Sequence, residues 1–426
     1  MAILNQAKSA VKKIAPEFLI GGYHFLLALS AAVFCRFPSR KLKVIGVTGT
    51  NGKSTTAMMI ARILEEAGRK TALSCSIEFR IGNETQKNQS RMTMPGRFAL
   101  QKFLRDAVAQ NCQYAVIEVS SEGIKQHRHR FIDFAAAVIT NVTPEHIESH
   151  GSFEKYRAAK GGLFASCRKI HILNADDANY DFFSGFFAPE KYAYGIAADQ
   201  LDNNRRHVRA RRLEADSAGS SFEVGRCRFD LRLPGEFNIY NALAAICAAQ
   251  SQNIAPEICQ RALAKIEAIP GRMEKVVWSP FEVFVDYAVT PDSLEKAYQT
   301  MMSGIQGKLI CVLGSCGGGR DKWKRPVMGN LAKKYCDLVF ITNEDPYDED
   351  PLKIINEIAG DGAAVKKIVD RQEAIGQAIK SAKSGDRVIV TGKGCEESMC
   401  VAGGKKLPWS DRNAVLKSLA GAGRPD

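Results

Sequence analysis

The hydrophobic and polar positions of this chain predict strands and helices that alternate. Residues 43–48 form an apolar run of the length of a buried strand, and a glycine-rich turn follows it. After the turn, apolar residues recur at helical spacing, namely Ala57, Ile60, Ala61 and Leu64. Apolar runs at 114–119 and 135–140 predict two more strands, each followed by helix-forming or turn-forming sequence. This alternation is typical of a mainly parallel sheet covered by helices.

The pattern changes twice further along the chain. Residues 200–233 are rich in charge and in short alternating runs, which predicts a small excursion of β-structure, and a helix is expected to begin near Asn238. The alternation of strands and helices restarts after residues 269–271. The strands predicted beyond this point are 283–285, 309–313, 338–342 and 387–391.

We therefore expect an α/β protein with a mainly parallel sheet in its central domain and a Rossmann-like α/β domain at its C-terminal end. The predicted limits are 1–40 for a short basic and hydrophobic helical segment, 41–271 for the central domain and 272–426 for the C-terminal domain. A length of 426 residues accommodates two or three domains of ordinary size.

The amino-acid composition excludes few classes of protein. Hydrophobic residues make up 45% and charged residues 25%, as in ordinary globular proteins. The 12 cysteines are scattered without a CxxC pair, so we interpret them as small core residues of a cytoplasmic protein and expect no zinc site. Part of the net charge of +13 is concentrated in residues 1–43, which contain seven Lys or Arg and a single Glu. Because this charge is local, nucleic-acid binding is not expected.

The same N-terminal region contains the most hydrophobic stretch of the chain. Residues 18–35 are uncharged, and basic residues lie on both sides of them. A stretch of 18 residues is at the lower limit for a membrane span, and Gly21, Gly22 and His24 weaken that interpretation. Three alternatives stay open: a helix packed on the next domain, an interfacial helix that contacts anionic lipid through residues 8–43, and a true span.

A glycine-rich loop between the first predicted strand and helix contains candidate chemistry. Its residues are Gly49, Thr50, Asn51, Gly52, Lys53, Ser54 and Thr55. Glycines let the backbone N–H groups turn toward phosphate oxygens, and the N-terminus of the following helix adds positive potential. Lys53 is suited to bridge the β- and γ-phosphates, and the Ser54 hydroxyl to ligate Mg²⁺. The spacing departs from GxxxxGK[ST] because Val47 stands at the first glycine. The loop nevertheless predicts a nucleoside triphosphate site in a P-loop domain.

Further motifs, in one order along the chain, resemble those of the Mur ligases. They are residues 49–55 (GTNGKST), 118–121 (EVSS), 140–141 (TN), 146 (H), 156–160 (YRAAK), 270–272 (PGR), 286–288 (DYA), 320–322 (RDK) and 392–394 (GKG). The match covers about residues 43–412 and is nearest to the members that add the third residue of the peptidoglycan stem peptide. The resemblance implies an ADP-forming ligase that uses ATP and two Mg²⁺ ions. It phosphorylates a carboxylate, and an amine then attacks the acyl phosphate.

The resemblance also implies roles for individual residues. The implied catalytic residues are Lys53, Glu118, His146 and Lys160. The implied Mg²⁺ ligands are Ser54, Glu118, His146 and Lys160, the last as a carbamate formed with CO₂. Beyond the loop, the implied ATP-binding residues are Asn238, Arg272 and Asp286. Considered without the family, Lys160 is an ordinary solvated lysine of a helix and Asn238 is a helix cap.

Substrate-binding residues are implied at positions that match the acceptor and amino-acid sites of the family. They are Thr93, Ser120, Gln126, Arg128, Arg320, Glu344, Asp345, Tyr347, Gly392 and Glu396. Members that use meso-diaminopimelate have Asp-Asn-Pro-Arg where this chain has Glu-Asp-Pro-Tyr. Tyr347 cannot form a bidentate ion pair with the distal carboxylate, and two acids suit a cationic side chain, so lysine or ornithine is predicted. The alternative is that Glu344 and Asp345 cap the following helix.

Other positions depart from the family pattern. The segment before the phosphate loop is short, so the N-terminal domain that holds the uridine nucleotide is expected to be truncated. Val289 and Cys395 replace two histidines, Glu122 replaces a third, and Met94 stands where a second threonine is usual.

Three hypotheses about function remain. The leading one is a monomeric ligase that joins an amino acid to a muramyl-peptide carboxylate in peptidoglycan precursor synthesis. The second is a ligase that acts on a lipid-linked precursor or another polypeptide-like acceptor. The third is a non-catalytic ATP-binding scaffold, which the presence of Lys53, Glu118, His146 and Lys160 disfavours.

Overall fold

Two large sheets, one after the other along the chain, organise this computed structural model, which describes residues 17–90, 92–198, 206–277, 279–360 and 365–421. The helices are α1 (Glu17–Phe34), α2 (Lys53–Glu66), α3 (Arg97–Ala109), α4 (Ser121–Lys125), α5 (Ile147–His150), α6 (Phe153–Ser166), α7 (Tyr180–Ser184), α8 (Glu236–Gln250), α9 (Pro256–Ala264), α10 (Pro291–Met302), α11 (Lys324–Tyr335), α12 (Pro351–Ala359), α13 (Arg371–Ser381) and α14 (Asp411–Gly421).

The strands of the first sheet are β1 (Lys43–Thr48), β2 (Thr71–Ser74), β3 (Glu78–Ile81), β4 (Glu84–Lys87), β5 (Tyr114–Glu118), β6 (Phe134–Ile139), β7 (Ile170–Asn174), β8 (Glu190–Gly195), β9 (His207–Ala215), β10 (Ser220–Val224) and β11 (Cys227–Leu231). Those of the second are β12 (Glu274–Val277), β13 (Glu282–Asp286), β14 (Leu309–Leu313), β15 (Leu338–Thr342), β16 (Val365–Ile368) and β17 (Arg387–Thr391), and β18 (Ser398–Val401) pairs separately with β19 (Lys405–Pro408).

The first sheet is parallel in its centre and antiparallel at both edges. Its order is β11-β10-β9-β8-β7-β6-β1-β5-β2-β3-β4. Strand β1 pairs in parallel with β5 and β6, whereas β3–β4 and β10–β11 are antiparallel pairs. The excursion predicted at 200–233 therefore extends the main sheet, and residues 200–205 of that prediction lie outside the described chain.

Strand β1 shows why this sheet is buried on both faces. Its successive side chains point to opposite sides, so that Ile45 and Val47 join one hydrophobic core while Val44 joins the other. Helices α2 and α8 cover the first side, and α3 and α6 cover the second. Gly46 leaves room for a ring, because a Cβ at this position would lie 2.9 Å from Cε1 of Phe134.

The second sheet has the order β12-β13-β17-β14-β15-β16, and all its pairs are parallel except the edge pair β12–β13. Its strands β14, β15 and β17 coincide with the runs predicted from the sequence. The predicted α/β class, with two mainly parallel sheets, is therefore confirmed. The change of sheet lies between α9 and β12, where the sequence puts its boundary, and the domain limits themselves stay a prediction.

Helix α1 contains the hydrophobic N-terminal stretch, for which a packed helix, an interfacial helix and a membrane span were the alternatives. One side of it packs on α3, and its buried residues are Ala28, Ala31 and Ala32. Within the described residues, no helix combines the length and the hydropathy needed to cross a bilayer. Residues 8–16 of the predicted lipid contact lie outside the described chain.

Candidate active site

A cleft of about 1200 Å³ lies between the carboxyl ends of the central strands and the C-terminal sheet. The predicted residues that line it are Thr50, Asn51, Gly52, Lys53, Ser54, Thr55, Thr93, Glu118, Ser120, Arg128, His146, Arg272, Asp286, Arg320, Glu344, Asp345, Tyr347 and Glu396. The predicted residues outside this lining are Gly49, Gln126, Lys160, Asn238 and Gly392. In open parallel sheets, ligands generally bind in the crevice beyond the carboxyl ends of the strands.

The phosphate loop is tied to the segment after β6. Thr140 Oγ1 donates to Asn51 O at 2.6 Å, and Asn51 N donates to Asn141 Oδ1 at 3.0 Å. Gly52 has φ 81°, and a Cβ there would lie 2.2 Å from Asn241 Oδ1, so the close approach requires glycine. Helix α2 begins at the next residue, and its N-terminus faces the cleft.

Lys53 is held at the start of that helix. Its Nζ donates to Thr50 O at 2.8 Å, within the loop itself. Burial lowers the pKa of Lys53, and the nearby Glu118 carboxylate opposes this shift. The partly buried ammonium group lines the cleft, where an anionic ligand would be bound more strongly than in bulk water.

Ser54 and Glu118, both predicted as metal ligands, lie side by side. Ser54 Oγ donates to Glu118 Oε2 at 2.9 Å, and Ser76 N donates to the same oxygen at 2.7 Å. Glu118 is the last residue of β5 and is only 2% exposed. The end of this strand thus brings a carboxylate to the hydroxyl of the phosphate loop.

Lys160 is buried rather than solvated, which corrects the residue-level interpretation of this position. It is 2% exposed in α6, and its Nζ donates to Gly49 O at 2.6 Å. Its ammonium also lies 4.4 Å from the centre of the Tyr156 ring. Burial lowers the pKa of Lys160 well below its ordinary value, and Lys53 lowers it further. The charged form of Lys160 is therefore less favoured beneath the phosphate loop than in an exposed lysine.

His146 approaches the same tyrosine from another side. It has φ 56° immediately before α5, and its ring centre is 6.0 Å from that of Tyr156. Burial lowers the pKa of His146 to about 3, and Arg320 and Lys160 add to the shift. The imidazole is thus neutral, as a metal ligand must be. Among the described residues, no group of three or more His, Cys, Asp or Glu side chains is placed to hold a metal ion.

Asn238 does not reach the cleft. It is 3% exposed, its amide donates to Pro234 O at 2.8 Å, and it accepts from Asn241 Nδ2 at 3.0 Å. The residue that caps the helix is Gly235, so α8 begins two residues earlier than expected and the cap interpretation of Asn238 is wrong. Asn241, one turn further along, lines the cleft instead.

Arg272 and Asp286 are brought together at the junction of the two sheets. The Arg272 guanidinium lies 4.4 Å from the centre of the Tyr287 ring. Asp286 accepts from Met273 N at 2.7 Å. Burial raises the pKa of the Asp286 carboxyl, and the positive charge of Arg272 opposes this shift.

Arg128 forms one wall of the cleft, on the side expected for the acceptor. It donates to Gln126 Oε1 at 2.7 Å and also to Met94 O. Gln126 therefore orients Arg128 and does not itself line the cleft. Thr93 lies on the same side, where its hydroxyl accepts from Ser76 Oγ at 3.1 Å.

The acids of the opposite wall are not equivalent. Asp345 is paired with Lys393, whose Nζ lies 2.9 Å from both carboxylate oxygens. Glu344 accepts from Cys316 Sγ at 2.9 Å, and its Oε2 is buried without a hydrogen bond in the described chain. Burial raises the pKa of Glu344, and Lys393 opposes this shift. Of these two acids, Glu344 is therefore the one with a carboxylate oxygen that accepts no hydrogen bond in the described chain.

Neither acid caps the following helix. The cap of α12 is Asp350, whose side chain accepts from Leu352 N at 3.0 Å, so the cap alternative for Glu344 and Asp345 is wrong. Gly392 lies behind Glu344, where a Cβ would come within 2.8 Å of Oε2.

Contacts across the cleft were not predicted. Lys324 Nζ donates to Glu145 Oε1 at 2.9 Å, and Asp321 accepts from Glu148 N at 2.9 Å. Asn51 of the phosphate loop also reaches across, donating to Asp292 Oδ2 at 2.9 Å. In the sequence, Lys324 and Glu145 look like ordinary exposed charged residues, so nothing in the sequence indicated that they form a buried pair.

Together, the phosphate loop and the second α/β layer across the cleft define an α/β nucleotide-binding protein whose site lies between its two sheets. Residues 47–249 match the Mur ligase middle domain, and residues 271–394 match the Mur ligase glutamate ligase domain. The chain therefore belongs to the Mur ligase family, whose members use ATP and Mg²⁺ to form amide bonds.

Curated relatives and a solved structure agree with this assignment. The chain is 40% identical over 410 residues to UDP-N-acetylmuramoyl-L-alanyl-D-glutamate--2,6-diaminopimelate ligase of Syntrophomonas wolfei, covering 93% of this chain and 82% of that protein. It is 36% identical to UDP-N-acetylmuramyl-tripeptide synthetase of a Roseiflexus species, covering 96% and 84%. A solved diaminopimelate ligase of the same name as the first relative superimposes with a TM-score of 0.61 at 30% identity, covering 90% and 79%.

Proposed function

We propose that this protein adds an amino acid to the carboxylate of a muramyl peptide through an acyl phosphate. The observation that carries the proposal is that Lys53 and the Ser54–Glu118 pair meet at one end of the cleft, with Lys160 buried directly beneath the phosphate loop. Relatives that are at least 36% identical are named as ligases of UDP-muramoyl peptides, which supports this acceptor.

The phosphate end of the cleft supplies positive charge where it is needed. In the proposed reaction, Lys53 binds the β- and γ-phosphates and neutralises charge as the γ-phosphoryl group is transferred. Arg272 and Asp286 are proposed to contact the nucleotide from the junction of the sheets, and Asn241 takes the place near the loop expected for Asn238.

We propose that CO₂ converts Lys160 to a carbamate. Only a neutral amine reacts with CO₂, and burial next to Lys53 favours that form. The product is an anion, which would reverse the repulsion between the two lysines and supply oxygen ligands. Ser54, Glu118, His146 and carbamylated Lys160 would then hold Mg²⁺, which when bound polarises the phosphate oxygens.

Glu344 supports the proposed preference for a cationic amino-acid side chain. Glu344 lines the cleft and its buried Oε2 accepts no hydrogen bond in the described chain, whereas Asp345 is already paired with Lys393. Tyr347 offers no cation for a distal carboxylate. We therefore propose lysine or ornithine, with diaminopimelate, the amino acid in the relatives' names, as the alternative to be tested.

A matrix of substrates tests both parts of the proposal. ADP release is measured with UDP-muramyl-dipeptide or its lipid-linked counterpart against lysine, ornithine and meso-diaminopimelate, with Glu344→Gln as the matched variant. We expect turnover with lysine or ornithine and a raised KM for that amino acid in the variant. If diaminopimelate is the preferred amino acid, the proposed selectivity for lysine or ornithine is wrong. If only the lipid-linked acceptor is used, the proposed UDP-linked acceptor is wrong. If no combination is turned over, a non-catalytic scaffold is favoured. We also propose a monomer, which light scattering in solution checks.

A further inference from the structure

Helix α1 is fixed to the protein along one side. Its inward residues are Ala28, Ala31, Ala32 and Cys35, which are buried. Phe25 packs on Phe131 with ring centres 5.1 Å apart, and the His24 ring hydrogen-bonds Arg97 at 2.5 Å. The orientation of the helix is therefore set by contacts on this side, and the residues on the other side have a fixed direction.

The opposite side, which we name the outer face of α1, is apolar and exposed. Its residues and their exposed fractions are Leu19 (54%), Tyr23 (58%), Leu26 (62%), Val33 (55%) and Phe34 (71%). Ser30 is the one polar residue in this stripe, and its hydroxyl donates to Leu26 O at 2.9 Å. Phe98 of α3 extends the face, with its ring centre 6.3 Å from that of Phe34. Single exposed apolar residues are ordinary, but a continuous stripe marks an interaction surface.

Positive charge follows this face at the carboxyl end of the helix. Four exposed basic residues follow the helix, namely Arg36, Arg40, Lys41 and Lys43, and none makes an ion pair within the described chain. Before the helix, residues 1–16 contain three lysines and no acid in the sequence. On α3, Lys102 and Arg105 are also exposed and share the acid Asp106.

We propose that the outer face of α1 binds the surface of a membrane that contains anionic lipid. An apolar stripe followed by cations matches acyl chains beneath a layer of negative headgroups. A second copy of the chain fits less well. A two-fold pair would bury the apolar stripe, but residues 18–35 contain no acid that could pair with the cations that follow the helix. This proposal does not depend on the identity of the acceptor or the amino acid.

Binding would bring the acceptor wall of the cleft near the lipid surface. Arg97 joins the two, because it contacts His24 of α1 and also donates to Gln126 O at 2.8 Å. Gln126 in turn orients Arg128, which lines the cleft. The outer face and the proposed acceptor site are thus linked through a short series of contacts.

Co-sedimentation of the full chain with vesicles tests the apolar part of the surface. Phosphatidylcholine vesicles are compared with vesicles that contain phosphatidylglycerol as well. The outer-face variant is Leu26→Glu with Val33→Glu. The control variant is Phe187→Glu with Leu352→Glu, which makes the same charge change at exposed apolar residues elsewhere on the protein. We expect the wild type and control to bind anionic vesicles, and the outer-face variant to partition at least about tenfold more weakly, as loss of one buried apolar side chain predicts. Unchanged thermal unfolding shows that the variants fold.

A charge series tests the lipid class. Arg40→Gln with Lys41→Gln is compared with Lys405→Gln with Lys406→Gln, which removes two exposed lysines from a distant hairpin. We expect a loss of roughly tenfold or more for the first pair alone, because each cation near the surface contributes about fivefold. Equal binding of all variants, binding that ignores phosphatidylglycerol, or no binding overturns the proposal. Self-association that the outer-face variant abolishes, without vesicle binding, assigns the surface to a second copy instead.

Discussion

The ion pair between Lys324 and Glu145 offers the sharpest test of how the two sides of the cleft are joined. Lys324 begins α11 beyond the second sheet's β14, whereas Glu145 precedes α5 in the first half of the chain. The two side chains are 6% and 8% exposed, and Nζ lies 2.9 Å from Oε1. Nζ also donates to Val289 O at 2.8 Å. We predict that Lys324→Met opens the cleft and lowers activity.

The size of the effect follows from the burial of both charges. Removing one partner of a buried pair leaves the other uncompensated and costs about 3–5 kcal/mol. Burial raises the pKa of Glu145 and Lys324 opposes that shift, so protonation of the carboxyl in the variant limits the cost to the lower end. Because the pair joins the two sides of the cleft, the cost falls on the arrangement in which these two sides are in contact. About 3 kcal/mol corresponds to a roughly 100-fold lower kcat/KM for ATP.

The assay is steady-state ADP release, with urea unfolding of each variant as a check on folding. Lys322→Met is the matched control, because Lys322 is 49% exposed and lies 3.6 Å from Glu349. Such surface pairs contribute about 0–1 kcal/mol. The double variant Lys324→Met with Glu145→Gln should recover most of the activity, since no buried charge remains. Wild-type kinetics in Lys324→Met, or a double variant as impaired as the single one, would refute the reasoning.

Three further predictions address other parts of the molecule. Lys160→Ala should abolish ADP release, with partial recovery on adding a small carboxylate, whereas an active, unrescued variant would exclude a carbamate at this position. Arg371→Met should lower the free energy of unfolding by about 3–5 kcal/mol in urea titrations, because Arg371 and Asp411 are a fully buried pair at 2.8 Å; a change below about 1 kcal/mol contradicts this. Glu344→Gln should raise KM for the amino acid more than KM for ATP, and an equal rise in both would show that Glu344 does not contact the amino acid.

The central strands illustrate what periodicity predicts well. The runs at 309–313, 338–342 and 387–391 coincide with β14, β15 and β17, because a parallel strand covered on both faces is apolar along its whole length. Short edge strands have no such signature. The β3–β4 hairpin and the β18–β19 pair were missed, and β4 and β19 are exposed throughout.

The residues of the site also divide into those that the sequence predicted and those that it did not. Glycines, lysine and serine between a strand and a helix were enough to predict the phosphate loop, since the backbone geometry they permit is local. Ordered motifs then extended the prediction to Glu118, Arg272 and Asp286, which all line the cleft. Lys160 was available only through that resemblance, because a lysine within a helix has no local feature that reveals its burial.

Local sequence was therefore sufficient for the α/β class, the phosphate loop and each short motif taken by itself, since each depends on residues close together in the chain. The roles of the acids and lysines depended on contacts between distant segments. Asp345 is neutralised by Lys393 while Glu344 keeps an oxygen without a hydrogen bond in the described chain, and Lys324 meets Glu145 across the cleft. Burial and charge pairing are set by packing of the whole chain, and for these residues no nearby pattern encodes them.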